Sequence, residues 1–333
     1  MGDVSQNINF DKILMLKAFF HSKQWALWAY GGLSILLFCL YLQVKLTVNV
    51  NEWFGKFYDM LQNANKHTLS EFWEQIYLYT KIAFPYIIIA TFTSYITRIY
   101  ALKWREAITF LYIPCWKKTD SDIEGASQRI QEDIYRFAKI VETLGLQIVR
   151  AIMTLIAFLP ILWKLSNKIY IAYLPKSGTL VYLAIFVSIG GLIISWFVGI
   201  KLPRLEYNNQ KIEAAFRKEL VLAENNRQNY AKPMTISSIF SELMKNYLRL
   251  FNHYGYFDMW LNFFEQLMLI VPYLVAGPFL LSGYITLGIL VQIADAFSKV
   301  RESFSIFISN WTTITELRSI HQRLIEFEKY ITV

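Results

Sequence analysis

Carboxylates recur at a helical spacing in the second half of the chain. At 100° per residue, Glu206, Glu213 and Glu224 fall within roughly 20° of one another and therefore share one face of a predicted helix. Ionisable groups in or near an apolar span are costly unless they face a cavity or a partner, so this row is a candidate pathway for substrate or protons. The alternative is an ordinary solvated face, on which Glu213 pairs with Arg217 one turn away.

A second row of polar residues lies towards the C-terminus. Asp295, Glu302, Ser309 and Glu316 follow one another at seven-residue spacing and drift only about 20° per step around one predicted helix. Asp295 ends an uncharged stretch, so the row would begin near membrane depth and is a second candidate pathway. Here too a surface pair, of Glu302 with Lys299, is the alternative.

A long amphipathic helix is predicted where the middle of the chain enters an apolar stretch. Its apolar side chains alternate steps of four and three residues and form one stripe about 80° wide; they are Ile134, Phe137, Val141, Leu144 and Ile148. Glu132 and Glu142 lie well off this stripe. They are therefore expected to face water, an aqueous cavity or a partner helix.

The elements that position these groups are expected to be membrane-spanning helices. The 333 residues are 55% hydrophobic and only 17% charged, and one span needs roughly 20 mostly apolar residues. Stretches near that length are 27–44, 81–97, 144–163, 177–200 and the two parts of 265–295 on either side of a Ser-Gly turn signal. The sequence predicts an all-α, polytopic membrane protein of about six transmembrane helices with long cytoplasmic extensions, one of them bent at Pro203.

Lysine and arginine predict the orientation, because they stay on the cytoplasmic side of short loops. Both are abundant between the second and third spans and between the fourth and fifth, and sparse in the other loops. Both termini are therefore predicted to be cytoplasmic, with residues 1–24 as an N-terminal segment and 25–333 as a single transmembrane transport domain. The net charge of +8 is then explained by basic cytoplasmic loops that contact anionic lipid headgroups. The expected partner is therefore the lipid bilayer and not nucleic acid.

Motifs for enzymatic or cofactor chemistry do not occur in this sequence. The four histidines are scattered without metal-ligand spacing, and neither the phosphate loop of ATPases nor a nucleophile elbow or zinc motif is found. Cys39 is expected within the membrane and Cys115 in the reducing cytoplasm, which leaves no disulfide. The sequence therefore predicts no enzymatic activity, no cofactor and no metal site.

Four segments carry a resemblance to a known family. They are EGASQRIQEDIYRF at 124–137, AIMTLIAFLP at 151–160, the stretch from Gly199 through KLP to EAAFRKEL at 213–220, and SNWTT at 309–313. In this order they closely resemble the SbmA/BacA family of peptide transporters, and the resemblance extends from about Trp25 to Glu328. It implies a core like the transmembrane domain of an ABC type 1 exporter without an ATPase domain of its own.

The resemblance also implies a function. Members of this family form homodimers in the bacterial inner membrane and import peptides, including antimicrobial peptides such as microcins and proline-rich peptides, driven by the proton gradient. The family has glutamates that line its cavity as a proton-coupling ladder. By match of the surrounding sequence, this role would fall on Glu132, Glu142, Glu206, Glu213, Glu219, Glu224 and Glu316.

Two other interpretations remain open on the sequence alone. One is the transmembrane half of an ABC transporter that uses a separately encoded ATPase, since fatty-acyl exporters share the neighbourhood of Arg129-Ile-Xaa-Xaa-Asp133. The other is a membrane enzyme or lipid-remodelling factor, which no catalytic motif supports. The sequence departs from the SbmA/BacA pattern at its start, where a short polar segment precedes Trp25 in place of a further hydrophobic region.

Overall fold

The computed structural model describes residues 14–119, 125–169, 177–225 and 232–331. Within these ranges the chain is helical and contains no strand, as the sequence predicts. The helices are α1 (Leu14–Phe20), α2 (Leu33–Gln62), α3 (Leu69–Lys117), α4 (Ile134–Ser166), α5 (Thr179–Gly199), α6 (Leu202–Asn225), α7 (Pro233–Leu281), α8 (Leu287–Ser309) and α9 (Trp311–Ile331). A π-helical turn precedes α2 at Leu27–Gly32 and another precedes α4 at Arg129–Asp133.

Five helical segments of the described chain are long and apolar enough to cross a membrane. They are Leu27–Gln62, Leu69–Lys117, Ala126–Ser166, Thr179–Glu224 and Pro233–Leu281. At 1.5 Å per residue, the 49 residues of α3 extend about 74 Å, which is far more than the hydrocarbon thickness of about 30 Å. Long helical extensions beyond the bilayer are thus a property of the fold.

The sixth predicted span falls on α8, which is not among these five segments. This helix has 23 residues. Asp295 lies in its first half, and Lys299, Arg301 and Glu302 lie in its second half. Such a density of charge lowers its apolar character below that of the other spans. The prediction of about six spans is therefore not confirmed, whereas the all-helical membrane fold is.

The chain divides into two compact units. One contains the described residues up to Val181 together with those from Phe279 onward, and the other is Tyr182–Pro278. In the first unit α2, α3, α4 and α8 pack as a bundle, with α8 against α4 and α2, and α3 against α2 and α4. Its core includes Tyr100, Trp104 and Ile108 of α3 with Ile134 and Phe137 at the start of α4.

The outer face of α3 is apolar and exposed along the predicted span. Phe84, Ile88 and Phe92 are 64%, 66% and 47% exposed and follow one another at four-residue spacing. Residues at this spacing lie on one side of a helix. A stripe of large apolar side chains of this length is what a lipid-facing surface requires.

The contact between α2 and α8 depends on glycine. The backbone of Gly288 lies so close to α2 that a Cβ there would overlap the carbonyl oxygen of Gly55 and the carboxylate of Asp59. Two side chains of α2 also cap α8: the Leu287 N–H donates to Gln62 Oε1 (2.7 Å) and the Gly288 N–H to Asp59 Oδ1 (2.8 Å). These bonds satisfy donors that a helix N-terminus otherwise leaves unpaired.

Gly288→Ala is expected to lower the free energy of unfolding by about 1–3 kcal/mol, because the added methyl group forces two backbones apart. Thermal unfolding in detergent measures the effect. Gly145→Ala on α4 is the matched control, since a Cβ there would meet no atom within 4 Å. An equal effect of both substitutions would contradict the close packing of α2 on α8.

In the second unit, α5 and α6 run antiparallel to α7. Trp260 Nε1 donates to Ser195 Oγ at 2.8 Å, and Phe257 lies against Gly199. Further along α6, the rings of Phe216 and Phe240 are 5.8 Å apart. Where a bend at Pro203 was predicted, the helix is interrupted: α5 ends at Gly199 and α6 begins at Leu202, with Pro203 in its first turn, where the missing N–H costs nothing.

One regular helix through Asp295, Glu302, Ser309 and Glu316 was expected, and the structure departs from this expectation at one residue. The helix is interrupted at Asn310, which separates α8 from α9 and places Glu316 on the second of them. Near the break, Ser305 and Ser309 donate to the carbonyls of Arg301 and Ser305, and Asn310 Nδ2 donates to that of Ile306. Side chains that bond to carbonyls one turn back commonly bend helices.

Candidate functional site

Glu132 and Glu316, two of the seven predicted site residues, meet on one arginine. Arg136 lies one turn after Glu132, and its guanidinium contacts Glu132 Oε1 at 2.6 Å and Glu316 Oε1 at 3.1 Å. All three side chains are between 38% and 50% exposed, so the pairs are accessible to water. The contact joins the start of α4 to α9 and brings together carboxylates that are far apart in the sequence.

Beside this pair lies a buried ionic cluster that the sequence reasoning missed. Asp133, only 2% exposed, accepts a hydrogen bond from Arg129 Nη1 at 2.8 Å. Arg323 of α9 donates to both of its oxygens, Nε to Oδ2 at 3.0 Å and Nη2 to Oδ1 at 2.7 Å. This bidentate geometry is the strong form of an arginine–carboxylate pair. It fixes α9 against the π-helical turn that precedes α4.

Glu142 is the most buried of the predicted site residues. It lies on α4 and is 8% exposed, and no hydrogen bond or ion pair joins it to another residue in the described part of the chain. The charged groups that act on it at longer range are Arg98 of α3 and Lys139. A carboxyl group that is buried without a direct partner is unusual and costly, which makes it a candidate for protonation.

The remaining predicted residues lie on α6 in the second unit. Glu213 is half-buried and accepts a hydrogen bond from the Tyr247 hydroxyl of α7 at 2.8 Å. Glu206 and Glu219 are half-buried, and Glu224 is exposed near the end of the helix. Asn209, one turn before Glu213, is buried at 3% exposure. The four carboxylates of α6 thus range from half-buried to exposed, and a hydrogen bond to Glu213 joins one of them to α7.

The structure therefore brings Glu132 and Glu316 together, buries Glu142 and pairs Glu213 with a tyrosine. Whether these residues act as one ladder stays a prediction. In the part of the chain that the structure describes, no three histidine, cysteine, aspartate or glutamate side chains converge as they would around a metal ion. Proton binding is the chemistry that the described carboxylates can support.

Asp295 has a clear partner on α2. Asn51, fully buried, donates through Nδ2 to Asp295 Oδ2 at 2.8 Å and to the Gln292 carbonyl at 3.1 Å. Gln292 Nε2 in turn donates to the Asn51 carbonyl at 3.1 Å. Asp295 is therefore held in the contact between α2 and α8. The sequence indicated this residue as a candidate because Asp295 is the charge that ends a long apolar stretch.

A further buried carboxylate lies at the C-terminal end. Glu328 of α9 is 5% exposed and accepts hydrogen bonds from the Tyr112 hydroxyl at 2.6 Å and from the backbone N–H groups of Met15 and Leu14 at 2.9 and 3.2 Å. Burial raises the pKa of Glu328, although these hydrogen bonds act in the opposite direction. The carboxylate thereby ties α9 to α1 and α3.

The raised pKa predicts a pH effect. The protonated form is favoured by folding, so the stabilisation from Glu328 is present at low pH and is lost as pH rises through its folded value. Between pH 5 and 8, the melting temperature of the wild type is expected to fall more steeply than that of Glu328→Gln, which cannot ionise. The exposed neighbour Glu326→Gln is the control, and parallel curves for all three proteins would contradict the prediction.

Five apolar helices of this length define a polytopic helical membrane protein, and several of its carboxylates lie on half-buried or buried faces. The chain belongs to the SbmA/BacA-like family, whose model matches residues 22–332. It is also 26% identical to the inner membrane ABC transporter ATP-binding protein YddA of Escherichia coli over 89% of this chain. The family match and the five segments that are long and apolar enough to cross a membrane together make the chain a multi-pass membrane protein.

Two more relatives are named as ABC transporters. The ABC transporter D family member 2, chloroplastic, of Arabidopsis thaliana is 25% identical over 82% of this chain. An uncharacterized ABC transporter ATP-binding protein of Synechocystis is 25% identical over 92% of it. The chain spans 57%, 39% and 46% of the lengths of these three proteins, in the order given.

Proposed function

We propose that this chain imports peptides into the bacterial cytoplasm, driven by the proton gradient. The observation that carries the proposal is the match to the SbmA/BacA-like family over residues 22–332, nearly the whole chain. The cargo would include antimicrobial peptides such as microcins and proline-rich peptides. The protein would lie in the inner membrane as a homodimer with both termini in the cytoplasm, in line with the distribution of lysine and arginine.

The carboxylates support proton coupling on physical grounds. A carboxyl group that is buried in one state of a carrier and hydrated in another changes its proton affinity between the two. Glu142 is buried and has no direct partner among the described residues, while Glu132, Glu213 and Glu316 are within reach of water. Carboxylates also attract the basic side chains that proline-rich antimicrobial peptides carry. One residue type thus supplies both the proton-binding groups and the negative charge that attracts a basic cargo.

The energy available is sufficient for import. One proton that crosses the membrane potential releases about 2.3 kcal/mol per 100 mV, and the pH difference adds to this. Since 1.36 kcal/mol corresponds to a factor of ten, a carrier that moves one proton with its cargo can accumulate that cargo about 50-fold at 100 mV. No ATP is needed for this accumulation.

A reconstituted system tests the proposal. The purified chain is placed in liposomes, a fluorescent proline-rich peptide is added outside, and an inward proton gradient is imposed without ATP. Accumulation that an uncoupler abolishes is expected. Transport that proceeds unchanged after the gradient is collapsed would overturn proton coupling, and liposomes without protein give the background.

A second candidate is the transmembrane half of an ABC transporter that works with a separately encoded ATPase. The observation that favours it is the set of relatives named as ABC transporter proteins, of whose length this chain spans about half. The liposome assay and an uptake assay in cells together distinguish the two functions. No gradient-driven uptake in liposomes, combined with uptake in cells that stops when ATP is depleted while the proton gradient is kept, would favour the second candidate.

A further inference from the structure

A charged side chain lies in the middle of an apolar helix of the first unit. Arg150 is the one charged residue in the predicted span 144–163 of α4. Its Nη2 donates to Gln43 Oε1 of α2 at 2.6 Å. Charges at this depth are rare and face a protein interior or a water-filled cavity, so the position calls for a functional explanation.

The arginine is held by a polar relay through three helices. Gln43 Nε2 donates to Thr93 Oγ1 of α3 at 2.7 Å, and the Thr93 hydroxyl donates to the Ile89 carbonyl at 2.6 Å. Because the Thr93 proton is committed to Ile89, its oxygen accepts from the amide NH2 of Gln43, whose oxygen must then point towards Arg150. Gln43 and Thr93 are 2% and 5% exposed, so the relay is buried and fixed.

The relay orients the guanidinium without neutralising it. No acidic side chain in the described ranges forms an ion pair with Arg150, and its side chain is exposed. A guanidinium has five N–H donors, of which the amide oxygen of Gln43 uses one. The remaining donors form a planar fork that matches a carboxylate.

A second donor lies one turn earlier on the same side of α4. Gln147 accepts through Oε1 a hydrogen bond from Asn310 Nδ2 at 2.9 Å. Its oxygen is thereby occupied and its NH2 group is the end that remains for a ligand. Residues three apart lie on one side of a helix, so Gln147 is the next hydrogen-bond donor along α4 on the side of Arg150.

We propose that Arg150 binds a carboxylate of the transported peptide, with Gln147 as an additional donor. The inference rests on the proposed function, because it assigns part of the substrate-binding site of that transporter. The carboxylate is either the C-terminus of the peptide or an acidic side chain, and both present the same two oxygens. Gln43 and Thr93 position the arginine and do not contact the cargo.

Binding of matched peptides to the purified protein in detergent tests the assignment independently of transport. Three fluorescent peptides of one sequence are compared: the free acid, the C-terminal amide, and the amide with one internal aspartate. A charge-assisted hydrogen bond predicts that the wild type binds the free acid about ten- to hundredfold more tightly than the amide. Tight binding of the aspartate peptide as well would identify any carboxylate, and not the C-terminus alone, as the ligand.

Variants identify the residue responsible. Arg150→Gln is expected to abolish the preference for carboxylate peptides, because it weakens the binding of those peptides and leaves the binding of the amide unchanged. Arg150→Lys keeps the charge but loses the planar fork, and is expected to retain part of the preference. Arg318→Gln, an exposed arginine on α9, should leave the preference unchanged. Gel filtration and thermal unfolding establish that each variant is folded.

The outcomes separate this inference from the proposed function. A carboxylate preference that disappears in Arg150→Gln supports the site, even if liposome uptake proves independent of the proton gradient. Equal affinity of the free acid and the amide, in the wild type and in Arg150→Gln alike, would overturn the site. If gradient-driven uptake is observed at the same time, the proposed function stays intact. No binding of any of the three peptides would overturn the site as well.

Discussion

Asp133→Asn is expected to lower the free energy of unfolding of the detergent-solubilised protein by about 2–4 kcal/mol. The substitution keeps the size of the side chain but removes the negative charge between two guanidinium groups. Arg129 and Arg323 would then face each other across a neutral amide that accepts through one oxygen only. The expected loss is smaller than the largest losses that follow when a fully buried ion pair is broken. The reason is that Arg129 and Arg323 are 26% and 34% exposed, so that water can solvate the charges left unpaired.

A double-mutant cycle separates the ion pair from the packing around it. Asp133→Asn and Arg323→Gln together are expected to cost less than the sum of the two single changes, since the second removes a charge that the first leaves unpaired. Glu326→Gln on the exposed face of α9 is the control, with an expected effect within about 0.5 kcal/mol. Additive losses would contradict a direct coupling between α9 and the start of α4.

The helices and their buried faces were predictable because they depend on local pattern. The stripe from Ile134 to Ile148 was inferred from steps of three and four residues, and Ile134, Phe137 and Leu144 are indeed buried. The break near Pro203 follows in the same way from the backbone chemistry of one residue. Each of these features is encoded within one or two helical turns.

The ionic cluster was not predictable, because its partners are distant in the sequence. Asp133 and Arg323 are 190 residues apart, and no spacing rule connects them. The same holds for Glu328, whose hydrogen-bond donors Leu14 and Met15 lie 314 and 313 residues away. The interruption at Asn310 was missed because the seven-residue pattern of polar residues continues through it. The side chains of Ser309 and Asn310, which bond to carbonyls one turn back and favour a bend, give no signal in that pattern.

Burial of Glu142 was only partly predictable. Its position off the apolar stripe of α4 left water, a cavity or a partner helix as its surroundings, and the structure buries it in the unit that α3 and α4 share. Periodicity gives the direction of a side chain relative to its own helix, but the presence of a second helix on that side is a tertiary property. The distinction matters, because a glutamate that stays solvated throughout the transport cycle would not change its proton affinity.

Glu142→Gln is expected to reduce the steady-state accumulation of peptide in liposomes by about 50-fold at 100 mV and equal pH on both sides, where the potential is the whole contribution of one proton. The amide is nearly isosteric with the protonated carboxyl group, so folding should be preserved. It cannot release a proton, however, and so fixes the residue in its neutral form on both sides of the membrane. Exchange of peptide down its own gradient should therefore continue while gradient-driven accumulation stops.

This difference between exchange and accumulation distinguishes coupling from simple damage. A variant that has lost its cargo site or its fold fails in both assays, whereas one that has lost only its proton site fails in accumulation alone. Glu74→Gln, which removes a carboxylate from α3 outside the candidate set, is the matched control and should retain both activities. If Glu142→Gln accumulates peptide as well as the wild type, the proton must bind elsewhere, and Glu213 with its tyrosine partner becomes the next residue to test. Burial without a direct partner in the described part of the chain is what sets Glu142 apart, so such a result would also mean that this burial serves the fold rather than the transport cycle.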